Sequence, residues 1–172
     1  MSSEHDASLV RYFPVSAIKL VTMSVCTLGL YEVYWAWNCW EFIKSRDRRD
    51  LNPFWRSVYV SALFFNFLLI WDVSRSAGDS RSVALVRSLI CAGGFAVLWV
   101  GGSVLTNSPF VLASALSVAM LVPVQRQINK LNQRDAPDHE PNRRFSNGNV
   151  VIVVVGGLFL SLAVLGSVLK PR

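Results

Sequence analysis

Thirty-eight consecutive residues, Ser88 to Gln125, carry no charged side chain, and a second run of 20, Val150 to Leu169, carries none either. A helix in water keeps a polar face, whereas about 20 uncharged residues are enough to take a helix across a hydrocarbon core. The two runs therefore argue against an ordinary soluble domain and predict an all-α integral membrane bundle. Composition agrees, with 52% hydrophobic residues against 16% charged ones, and the charges fall in blocks between apolar stretches. Five apolar segments follow: 16–37, 54–73, about 83–106, 109–124 and 150–169. The last three are expected to span, and the first two to span, re-enter or lie in the interface. Residues 15–172 read as a single membrane-embedded helical domain behind a polar N-terminal tail, 1–14. That tail lacks the basic start of a signal peptide and is expected to be retained.

The stretch from Lys19 to Arg49 has the order that a membrane boundary imposes. Ser16 suits an N-cap, and an apolar helix follows. It is interrupted at Thr27-Leu28-Gly29-Leu30, where glycine weakens the helix and Thr27 can bond back to a carbonyl one turn earlier. A kinked or broken helix is expected there. Tyr31, Tyr34, Trp35, Trp37 and Trp40 then read as rings with one wet edge at the interface, and Lys44, Arg46, Arg48 and Arg49 as cations for anionic headgroups. Glu32 would be a functional group if it lay at membrane depth. Among these aromatics it reads instead as a headgroup-level residue. A helix emerging along the surface is expected from Trp37 to Arg49.

Further on, Asp50 to Pro53 reads as a turn, Ser74 to Ser82 as a polar loop, and Pro109 as a first-turn proline of the fourth helix. That helix should continue through QRQINKLNQRD, since Leu121, Val124, Ile128 and Leu131 keep a spacing of three and four. Residues 135–149 read as a loop. Small residues four apart, such as Ala92/Ala96 and Gly157/Ser161, and the pairs Gly93-Gly94 and Gly156-Gly157 suit close helix packing in lipid.

Counting cations tests the topology. If all five segments span from an inside N-terminus, the 17 Lys and Arg divide 10 inside and 7 outside; if the first two dip in and return, they divide 15 and 2. The positive-inside tendency favours the second arrangement. Re-entrant segments, however, are tolerated only where protein or water covers their backbone. The loop 126–149 is expected to be cytoplasmic in either case.

Residues that would carry chemistry are scarce. The two histidines, His5 and His139, lie in the tail and in a Pro-rich loop, and no phosphate-binding glycine motif or nucleophile elbow is present. Cys26, Cys39 and Cys91 lack metal or redox spacing and read as small buried hydrophobes. A net charge of +6 follows from cytoplasmic loop cations rather than from nucleic-acid binding. No catalytic, cofactor or metal-binding residue is assigned, and the expected partners are the bilayer and either a second copy or another membrane protein.

The run Thr27-x-Gly29-Leu30-Tyr31-x-x-Tyr34-Trp35, with Trp40 and a basic stretch behind it, resembles the T-x-G-[IL]-Y-x-x-Y-W hallmark of a family of small bacterial multi-pass membrane proteins of unknown function. Pro53 to Arg56 and Pro123 to Asn132 are similar to its wider pattern. The resemblance implies an inner-membrane location and supplies no reaction or ligand. A non-enzymatic interaction, scaffold or regulatory module is therefore the expected function, with a small oligomeric transporter or channel as the alternative.

Overall fold

The computed structural model describes residues 10–48, 50, 52–57, 61–104, 116–138 and 142–169. Seven helices and no strand occur among them: α1 (Ala17–Cys26), α2 (Leu30–Asp47), α3 (Pro53–Ser57), α4 (Ser61–Ser76), α5 (Arg81–Val104), α6 (Val118–Asp135) and α7 (Asn147–Leu169). The all-α expectation holds. One helix among the described residues, over Arg81–Gly101, is long and apolar enough to cross a membrane, with a mean hydropathy of 2.0. The turn around Pro109 lies outside the described residues.

Ser16 caps α1 as the sequence predicts: its backbone is extended and its Oγ accepts the Lys19 N–H at 3.1 Å. The helix closes after one short run of 10 residues. Gly29 N–H donates to Ser24 O at 2.8 Å and Leu28 N–H to Val25 O at 3.2 Å, the paired bonds of a Schellman end. Leu28 sits at φ 50° and Gly29 at φ 90°, both left-handed, a region where a side chain costs roughly 1–2 kcal/mol. Thr27 secures the joint from both sides. Its hydroxyl donates to Met23 O at 2.7 Å and accepts the Tyr31 N–H at 2.9 Å, so one oxygen closes α1 and opens α2. The interruption predicted at Thr27 to Leu30 is a full break.

Beyond it the chain doubles back. Phe13, in the extended segment before α1, meets the rings of Tyr34 and Phe42 at centroid separations of 5.9 and 6.3 Å, and the Arg46 guanidinium stands 5.3 Å from the Tyr12 ring. The far end of α2 is thus beside the start of α1, and the pair forms a hairpin. Asn52 starts α3 by accepting the Phe54 N–H at 3.2 Å, with Pro53 at the first helical position. The Phe54 and Trp37 rings meet nearly at right angles, with centroids 6.4 Å apart. The chain has therefore climbed back toward the middle of α2, and α4 descends until Asp72 and Ser76 reach the Tyr12 hydroxyl at 2.6 and 2.9 Å.

The polar loop expected over 74–82 is shorter than that, because α4 persists to Ser76 and α5 begins at Arg81. Gly78 at φ 90° makes the turn between them. Helix α7 likewise begins at Asn147, three residues before Val150, with Ser146 Oγ accepting the Asn149 N–H at 3.3 Å. The predicted extension of α6 holds to Asp135, with Leu121, Val124, Ile128 and Leu131 all buried. Four groups of contacts then gather the ends at one pole. Arg11 pairs with Asp135, Tyr12 with Asp72, Arg87 with Asp79, and Lys19 Nζ donates to Asn142 Oδ1 at 2.9 Å and Arg144 O at 2.7 Å.

Candidate functional site: a buried polar seam

Three amides on one face of α6 hold the chain before α1. Asn132 Oδ1 accepts the Arg11 and Tyr12 N–H groups at 3.1 and 3.2 Å, and its Nδ2 donates to Tyr12 O at 2.8 Å. Gln125 Nε2 donates to Val15 O and Asn129 Oδ1, each at 2.9 Å, and Asn129 Nδ2 donates to the same Val15 carbonyl at 3.0 Å. An extended segment has no internal partners for its backbone, so burying it requires side chains of this kind. Tyr12 and Val15 are fully buried as a result. The last part of the polar tail is an integral strap.

Gln125 also reaches the aromatic motif: its Oε1 accepts the Trp35 Nε1–H at 2.5 Å. Of the five rings expected to keep a wet edge, Tyr34 and Trp37 are exposed, while Tyr31, Trp35 and Trp40 are buried in the protein. For those three the interface reading gives way to an interior one. Trp35 finds its polar partner in an amide, as a buried indole requires.

Glu32 lies one turn before Trp35 and is only 2% exposed. Ser117 Oγ stands 2.9 and 2.8 Å from its two oxygens and donates between them. The carboxyl group is enclosed by protein at the inner end of α2, rather than set among exposed rings. Ser117 immediately precedes α6 and makes no side-chain cap bond there. Its hydroxyl serves Glu32 instead.

The basic cluster behind the motif is partly occupied. Arg46 bonds Asp47 at 2.7 Å and Asp72 at 3.0 Å, Lys44 is half-buried, Arg48 is exposed at the end of α2, and Arg49 lies outside the described residues. Burial, then the Asp72 charge and hydrogen bond, push the Tyr12 phenol well above its ordinary range. Cys39 and Cys91 are buried and Cys26 half-buried, all three free. Among the described residues, no three His, Cys, Asp or Glu side chains come together to hold a metal.

Sequence reasoning missed Gln125, Asn129 and Asn132 as partners of the strap. The available signal was their register, since Gln125 and Asn132 are seven apart and fall within the buried stripe of Leu121, Ile128 and Leu131. Of the motif residues, Glu32 and Trp35, just beyond the break at Thr27 to Gly29, are brought against Ser117, which precedes α6, and Gln125 within it. Compared with protein-family models, curated proteins and solved structures, the chain matches none, and its role has to be read from this seam and the surfaces around it.

Proposed function

We propose that the chain is a multi-pass protein of the bacterial inner membrane that works as a non-enzymatic scaffold or regulatory module, binding a membrane partner through α7. The observation that carries this reading is the state of α7. Val151, Val154, Val155, Leu158, Phe159 and Leu162 are exposed around it, and it packs chiefly on α1. A helix apolar on every side belongs in lipid or against another apolar helix.

The topology that fits has three spans, formed by α5, the 109–124 segment and α7, with two dips before them. Supporting it, the tail, the end of α2, the end of α4, the start of α5 and the end of α6 share one pole through Tyr12–Arg46–Asp72, Arg11–Asp135 and Arg87–Asp79 contacts. The hairpin tip reaches Gly156, where an added Cβ would run into the Cys26 carbonyl. Gly156 is six residues past Val150, where the apolar run begins, about 9 Å along the axis, which is inside a hydrocarbon core of about 30 Å. The first arm of the hairpin, α1, packs on both α6 and α7, which supports the protein cover that a re-entrant segment needs.

Purification from native membranes in mild detergent, followed by mass spectrometry, tests the function. A different membrane protein should co-purify in fixed ratio and be lost when α7 is deleted after Asn149. A second reading, an oligomeric transporter, is favoured by one observation: the buried Glu32 carboxyl beside a helix break. A lone homo-oligomer that moves ions in liposomes, and stops when Glu32 becomes Gln, would select that reading. For topology, a cysteine at Ser146 in a chain lacking Cys26, Cys39 and Cys91 should resist an impermeant thiol reagent in intact cells.

A further inference from the structure

A cleft of about 590 Å³ runs along α6 where it faces the turn between α4 and α5. One end is apolar, lined by Ala119, Val122 and Pro123; the other is lined by Arg126, Lys130 and Arg134. These cations recur every four residues, so they share one helix face. Arg126 and Lys130 are exposed, and among the described residues neither has an ion pair or side-chain hydrogen bond.

Local acid does not neutralise the stripe. Asp79, the carboxylate lining the cleft, is bonded to Arg87 and accepts Gln127 Nε2–H at 3.4 Å. Asp135 is shared between Arg11 and Arg134. Between the two ends, Pro123 lies inside α6. It has no N–H to give the carbonyl one turn earlier, that of Ala119, which also lines the cleft. The cleft thus offers an apolar wall, a carbonyl lacking its helical donor and then two unpaired cations, over about 16 Å from Ala119 to Lys130.

We propose that this cleft binds an anionic phospholipid, with the phosphate against Arg126 and Lys130 and an acyl chain along Val122 and Ala119. A phosphodiester matches this arrangement because guanidinium and ammonium donors charge-assist its oxygens while the chain needs the apolar end. The proposal rests on the membrane reading, which carbonate extraction checks separately: protein in the soluble fraction would end that reading before lipid is considered.

The test uses the full chain purified in mild detergent, titrated with phosphatidylglycerol and with phosphatidylcholine of the same acyl chains, and read by native mass spectrometry. Phosphatidylglycerol should bind at least about tenfold more tightly, and Arg126→Gln with Lys130→Gln should abolish that preference. Arg81→Gln with Arg143→Gln removes the same charge elsewhere and should keep it. Equal binding of the two lipids, or an unchanged preference in the first double variant, overturns the proposal. So does inorganic phosphate that displaces phosphatidylglycerol completely at millimolar concentration, since the site would then be one for a free anion. If the Arg126/Lys130 variant fails to fold, Lys130→Gln alone is used; a preference that does not fall in it counts against the site.

Discussion

The α1–α2 hairpin and α7 are both apolar stretches that the sequence marks as membrane segments, yet they meet their surroundings in opposite ways. The hairpin is short and broken, it buries Leu20, Met23, Glu32 and Trp35 within the protein, and its backbone approach is held by Gln125, Asn129 and Asn132. The long α7 is continuous and exposed on most sides, and it touches the hairpin where Gly156 lets the Cys26 carbonyl in. Apolar composition gives membrane affinity in both cases. Polar groups buried in apolar surroundings decide which segment is fixed in place, because leaving one unpaired costs about 1–3 kcal/mol.

The largest effect is expected from Asn132→Ala. It leaves three backbone groups of the buried strap, the Arg11 and Tyr12 N–H and the Tyr12 carbonyl, without their described partner. A loss of about 3 kcal/mol or more follows at 1–3 kcal/mol for each unpaired group, read as thermal stability in detergent. Stability unchanged within error would mean that water replaces the amide and that the strap is not what fixes the hairpin.

Next comes Gly156→Leu, which drives a side chain into the Cys26 carbonyl. Overpacking of this kind costs about 1–3 kcal/mol, and here it should separate α7 from α1 before it unfolds either. A cysteine crosslink between Cys26 and position 153 should fade in the variant while α5–α6 packing persists. Retained crosslinking would place the two elements more loosely than the contact implies.

Gly29→Leu should be milder, about 1–2 kcal/mol, since it puts a second side chain beside Leu28 in left-handed backbone. A rise in stability would favour a continuous first helix over a broken one.

The smallest effect concerns pH. Tyr12 is buried against Asp72, so its phenol ionises at higher pH in the folded chain than in the unfolded one, whose value is about 10. Its contribution is complete below pH 10 and declines as pH rises above it toward the folded value. Thermal melts from pH 9 to 11 should fall more steeply for the wild type than for Tyr12→Phe. Parallel slopes would show that burial beside Asp72 does not raise the phenol on folding.

Much of the helical layout was legible, for local reasons. Ser16 as a cap, the break at Thr27 to Leu30 and the buried stripe of Leu121, Val124, Ile128 and Leu131 all depend on residues within a turn or two of one another. The burial of Tyr31, Trp35 and Trp40 was not legible, because an aromatic at a membrane boundary and one in a protein interior have the same neighbours in sequence. Trp35 is interior because Gln125, 90 residues away, supplies its acceptor. The same holds for cations: Arg46 looks as available as Arg126 until Asp72 is placed beside it.

By itself, then, the sequence determined the helical class, the strongly apolar runs and the point at which the first helix stops, since charge, hydropathy and glycine backbone freedom act locally. Tertiary structure alone decided that the first helix turns back beside its own start, that Glu32 meets Ser117, and which basic side chains stay unpaired. Those outcomes depend on hydrogen bonds and ion pairs between residues far apart in the chain, whose free energy exists only once the helices have packed.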